Sequence, residues 1–69
     1  MQTLKEAREG RGIKQKAVAE ALNITRQTYA RYEENPRTMP IYQAEAACEF
    51  IGCDIGQIFF GEPVSETDI

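Results

Sequence analysis

The sequence predicts an all-α fold, one small domain built from five short helices. Three observations carry that prediction. Apolar residues recur at helical spacing in successive stretches of the chain. Residues that stop helices (Gly12, Asn23, Pro36 and Gly52) separate those stretches. Finally, 69 residues leave room for a single core, and a chain this short buries only about 60% of the surface it would expose unfolded.

Leu4, Ala7, Arg8 and Arg11 fall on helical spacing, which places a first helix over about 3–11, and Gly12 suits the left-handed position that ends it. Ile13 reads as a buried anchor. Gln15 to Leu22 is rich in alanine, the best helix former, and sets Val18, Ala19 and Leu22 on one side of a second helix. Asn23 stands where that helix must stop, and asparagine is one of the few non-glycine residues that tolerates positive φ. Ile24 is assigned to the core. The Thr25 hydroxyl is suited to accept from free backbone N–H groups and so to open a third helix, Arg26 to about Glu34. Helix, tight turn and capped helix make the second and third helices a helix-turn-helix.

Pro36 lacks a donor and pushes Asn35 out of the α region, so the third helix ends there and a loop runs through Met39. Pro40 suits the first turn of a fourth helix, with Ile41, Ala44, Ala47, Cys48 and Ile51 on the helical period and Gly52 closing it. Asp54 is the expected N-cap of a last short helix containing Ile55, Ile58 and Phe59. The domain is expected to span 1–60, followed over 61–69 by a polar, acidic and flexible tail.

Several function classes are disfavoured at once. No apolar stretch approaches the roughly 20 residues of a membrane span. Met1 to Glu6 runs into a charged pattern with no apolar secretory region, which gives the expectation of a cytoplasmic protein. Cys48 and Cys53 are too few for a disulfide framework, and with no histidine they cannot complete a four-ligand zinc site; they read as buried or idle thiols, and no metal or cofactor is expected. An enzyme would need a nucleophile with its base, a carboxylate pair or a metal cluster, and the sequence offers none. The size favours a binding module over a walled cleft, and no small-molecule substrate is evident.

The net charge of -3 runs against a generic nucleic-acid binder, but the charges are unevenly placed. All eight basic residues (Lys5, Arg8, Arg11, Lys14, Lys16, Arg26, Arg31 and Arg37) lie within 1–37 beside five acids, a net of +3. Positions 38–69 hold six acids and no base, a net of -6. That asymmetry suits one face turned toward a polyanion and another turned away.

If the third helix enters a DNA major groove, Arg26, Gln27 and Thr28 at its N-terminal end meet base edges. Arginine can donate twice to guanine, glutamine can pair bidentately with adenine, and threonine offers a methyl to thymine or a hydroxyl to a base. Arg31, one turn on, can reach a base or a phosphate. Gln15 at the N-terminus of the second helix is a phosphate candidate, flanked by Lys14 and Lys16, with Arg37 and Thr38 in the later loop as further ones. Arg8 and Glu33 read as an ion pair fixing the first helix against the third. Tyr29 is assigned to the core and Tyr32 to its edge with the hydroxyl outward. The run Ile58, Phe59, Phe60 is more apolar than a last helix needs and is a candidate subunit interface as well as core.

Residues 14–33, from Lys14-Gln15-Lys16-Ala17-Val18-Ala19 through Asn23-Ile24-Thr25-Arg26-Gln27-Thr28 to Tyr32-Glu33, resemble the Cro/C1-type (XRE) helix-turn-helix family. The resemblance extends over about 3–60. It implies a compact five-helix, lambda-repressor-like domain, a homodimer on a pseudo-palindromic operator, and transcriptional control, commonly in phages, mobile elements and their bacterial hosts. Position by position it implies Gln15 as a phosphate clamp, Arg26, Gln27, Thr28 and Arg31 as the recognition surface, and Arg8 with Glu33 as the ion pair. Two departures stand out: Glu34-Asn35-Pro36 replaces the family's Asn-Gly, and Met39 precedes Pro40 where the family has its proline one place earlier. The expected function is a sequence-specific regulator of double-stranded DNA, a dimeric repressor. The alternative is a protein-binding module on the same fold, antitoxin-like or antirepressor-like.

Overall fold

The computed structural model describes residues 2–59. Four α-helices account for most of them: α1 (Leu4–Gly10), α2 (Gln15–Leu22), α3 (Arg26–Glu34) and α4 (Ile41–Ile51). Two short strands, β1 (Gln2–Thr3) and β2 (Ile58–Phe59), pair in parallel with Gln2 opposite Ile58.

Each helix begins and ends for a local chemical reason. Thr3 caps α1 through a capping box, its hydroxyl accepting from the Glu6 N–H at 3.1 Å while the Glu6 carboxylate accepts from the Thr3 N–H at 2.9 Å. Asn23 ends α2 in the left-handed region at φ 62°, as its position after Leu22 predicts. Thr25 then caps α3, accepting from the Thr28 N–H at 3.1 Å. Pro36 stops α3 but opens a 3₁₀ turn, Pro36–Thr38, where an irregular loop is expected. Gly52 closes α4 at φ 90°.

These local decisions bring one set of apolar faces together. Tyr29, Leu4 and Val18 are its largest fully buried side chains, joined by Ala7, Ala19, Leu22, Ala44, Ala47, Cys48 and Ile51. Helix α2 lies in the middle, packed against both α3 and α4. Ile13, Ile24 and Tyr32 pack against this core only partly buried. No helix among the described residues is long and apolar enough to cross a membrane.

Two expectations are corrected. The fifth helix is only a 3₁₀ turn, Ile55–Gln57, capped by Asp54, whose carboxylate accepts from the Gly56 N–H at 2.9 Å. It stops because Ile58 turns extended to pair with β1 and to bury its side chain, and a backbone in that ladder cannot also close helical hydrogen bonds. Ile41 does not join the core. It is 70% exposed, because Met39 fills the core just ahead of it and the buried stripe of α4 runs through Gln43, Ala44, Ala47, Cys48 and Ile51. The expected tail, 61–69, lies outside the described residues.

Candidate nucleic-acid interface

The turn at Asn23 sets α2 and α3 so that their first residues lie side by side. Gln15 opens α2 and Arg26 opens α3, and the Arg26 Nη1 donates to the Gln15 Oε1 at 3.1 Å. Gln15 in turn donates through Nε2 to the Glu33 Oε1 at 2.9 Å. Glu33 accepts twice from Arg8, from Nε at 2.6 Å and from Nη2 at 3.2 Å, and Arg8 also donates to the carbonyl of Ile13 at 2.8 Å. Arg8 and Glu33 thus meet, as the sequence suggests, with side chains 9% and 3% exposed.

A buried ion pair holds only when its remaining donors and acceptors find partners. Here they do. Burial alone would raise the pKa of Glu33, but the donors from Arg8 and Gln15 outweigh it and hold the carboxyl below its ordinary range. The hydrogen bonds that Arg8 donates to the Glu33 carboxylate raise the Arg8 pKa, against the opposing effect of burial, so both stay charged. The Tyr29 hydroxyl is buried beside them without a hydrogen-bond partner; burial first, and the Glu33 carboxylate second, push its pKa up.

The outward side of α3 carries the sequence-predicted reading residues. Arg26, Gln27 and Arg31 are exposed, while Thr28 is half-buried with its hydroxyl 2.9 Å from that of Thr25. Glu34 shares that outward side. Lys14 and Lys16 are exposed around the start of α2, and Lys14, its N-cap, makes no side-chain capping bond. The first N–H groups of α2 therefore have no side-chain cap, the arrangement in which a helix start receives a phosphate. Arg37 and Thr38 are exposed in the 3₁₀ turn, where the Thr38 hydroxyl donates to the Asn35 carbonyl at 2.7 Å.

The structure does not bring Ile58 to the surface. It is 5% exposed within this chain's own core, and the Phe59 side chain and Phe60 lie outside the described residues. Among the described residues no three His, Cys, Asp or Glu side chains cluster as metal ligands.

A family model described as helix-turn-helix matches residues 4–58, which is α1 through the first residue of β2. The chain belongs to the Cro/C1-type helix-turn-helix family. Membership makes it a DNA-binding helix-turn-helix domain, with α2 and α3 as the helix-turn-helix. No curated protein and no solved structure matches the chain.

The link from Glu33 through Gln15 to Arg26 is the part of this helix-turn-helix that reading the sequence missed. Gln15 was legible as the residue at a helix start, and so as a phosphate ligand. Its second role carries no local signal, because the contacts to Glu33 and Arg26 lie 18 and 11 residues away in sequence and form only once the helices have packed.

Proposed function

We propose that this protein is a sequence-specific transcriptional regulator, a repressor acting as a homodimer, with α3 of each copy reading one half-site of a pseudo-palindromic operator about one helical turn from the other. The observation that carries this reading is the outward set Arg26, Gln27 and Arg31 on a capped helix, with Arg26 tethered to Gln15 at the start of α2. The remaining Arg26 donors suit guanine O6 and N7, Gln27 suits adenine N6 and N7, and the Thr28 methyl or hydroxyl suits an adjoining base. Lys14, Gln15, Lys16, Arg37 and Thr38 supply the phosphate contacts, which fix register without reading sequence.

Selection of the purified protein against a random duplex library tests this directly. An enriched inverted repeat with half-sites one turn apart supports it; a folded protein that enriches nothing overturns it. Once a site is known, Gln27→Ala should lose about 1–3 kcal/mol of discrimination at one base pair, whereas Lys16→Ala should weaken all sequences alike and lower the salt slope by about 1.

A specific observation also favours the protein-binding alternative. Ile41, Tyr42 and Phe50 are 70%, 69% and 47% exposed on α4, and Phe50 lines an open depression with Ile13 and Ala17. Failure of the duplex selection would leave these exposed apolar side chains as the residues to pursue.

A further inference from the structure

We infer that Cys48 and Cys53 form a dithiol site that closes to an intramolecular disulfide when a hydroperoxide oxidises it. The inference rests on how α4 ends. Gly52 turns the chain back in the left-handed conformation, and the Cys53 N–H donates to the Cys48 carbonyl at 3.0 Å. That bond is the six-to-one closure of a Schellman cap, which sets the residue after the left-handed glycine against the one four before it. One hydrogen bond and three covalent bonds then join the two Cα atoms, so they stand at most about 7 Å apart, at or inside the outer limit for a disulfide.

Both thiols are free, and they differ in access. Cys48 is 3% exposed within the core, whereas Cys53 is half-buried at its edge. Burial first, and the neighbouring Cys53 thiol next, push the Cys48 pKa up to about 12, so Cys48 keeps its proton at neutral pH. Cys53 is therefore the sulfur that meets the oxidant, and Cys48 the one that resolves it. Neither belongs to the outward set on α3.

The chemistry balances. The Cys53 sulfur attacks one peroxide oxygen, the O–O bond breaks, and the departing oxygen leaves as an alcohol, or as water from hydrogen peroxide, giving a sulfenic acid. The Cys48 sulfur then attacks the Cys53 sulfur; the S–O bond breaks, and the hydroxide leaves with the Cys48 proton as water. Two thiols and one hydroperoxide become a disulfide, an alcohol and water. The bond would close covalently over Gly52, whose carbonyl already accepts from the Arg11 Nη2 at 2.6 Å, tying the end of α4 to the end of α1.

The test is to treat the folded, full-length protein with hydrogen peroxide, denature it, block free thiols with iodoacetamide and weigh the intact chain. The expected product is 2 Da lighter than the reduced chain, takes up no alkyl group, runs as a single chain without reductant and returns to two alkylatable thiols after dithiothreitol. Cys48→Ala should stop the reaction at a Cys53 sulfenic acid that dimedone traps, and Cys53→Ser should abolish the 2 Da loss. Two alkyl groups still taken up after peroxide, disulfides only between chains, or a 32 Da gain at Cys53 without closure would each overturn the inference.

Discussion

Helix α3 presents Arg26, Gln27 and Arg31 to solvent, whereas α4 presents Ile41, Tyr42 and Phe50 together with Glu45 and Glu49. The inward sides differ as much. α3 is fastened through Glu33 to Arg8 and Gln15, with directional bonds that continue to Arg26. α4 is located chiefly by burial of Ala44, Ala47, Cys48 and Ile51, which carries no directional information, with one directional bond at its end from Arg11 to the Gly52 carbonyl. The contrast teaches that the two helices are both folded, but only α3 has its outward chemistry oriented from inside the molecule.

The largest expected effect breaks the α3 side. Glu33→Ala leaves the Arg8 guanidinium buried without its partner and releases Gln15, and should cost about 3–5 kcal/mol of stability in a denaturant titration. For a domain this small that is much of the total, so base preference should be read on Glu33→Gln, which keeps an acceptor for Arg8. Preference should relax at the position read by Arg26; unchanged preference would show that the network holds the fold and not the reading residue.

On the α4 side, Ile51→Ala should cost about 3 kcal/mol through lost burial and a residual cavity. Its base preference, measured on the folded fraction, should match the unsubstituted protein. A changed preference would break the distinction between the two helices.

Acid offers a gentler probe of the same contrast. The Glu33 pKa is lowered on folding from its ordinary 4.5, so the unfolded chain binds the proton more readily and the native state is favoured wherever Glu33 is ionised. That stability is fully present above about 4.5 and is lost as the pH falls through the lower folded value. Ile51→Ala should keep the same acid dependence, while Glu33→Gln should lose this component of it. The smallest effect is expected at Tyr42→Ser, which alters an exposed α4 residue and should change stability by less than about 0.5 kcal/mol. A larger loss would mean that this side is covered in solution, and sedimentation of both forms would show whether a second copy covers it.

The legibility of the sequence followed the range of the interactions. Asn23, Thr25, Pro36 and Gly52 mark helix ends by their own backbone preferences and short side-chain bonds, so the four α-helices and the helix-turn-helix are readable to within a residue. The capping box of Thr3 and Glu6 is equally local and makes Thr3 the N-cap of α1, whereas the helical spacing alone includes it in the helix. Ile41 failed for another reason. It matches the helical period, but which edge of an apolar stripe is buried depends on what packs there, and the buried stripe of α4 runs through Gln43, Ala44, Ala47, Cys48 and Ile51 instead.

By itself the sequence determined the helices, the turn between α2 and α3, the charge asymmetry and the polar residues available at the start of α3, because each follows from backbone preference, periodicity or composition within a few neighbours. Only the tertiary structure decided that the expected fifth helix becomes a 3₁₀ turn and a strand paired with residues at the other end of the chain. It alone decided that Gln15 bridges Glu33 to Arg26. Both outcomes depend on contacts between residues far apart in sequence, which exist only after the helices have packed.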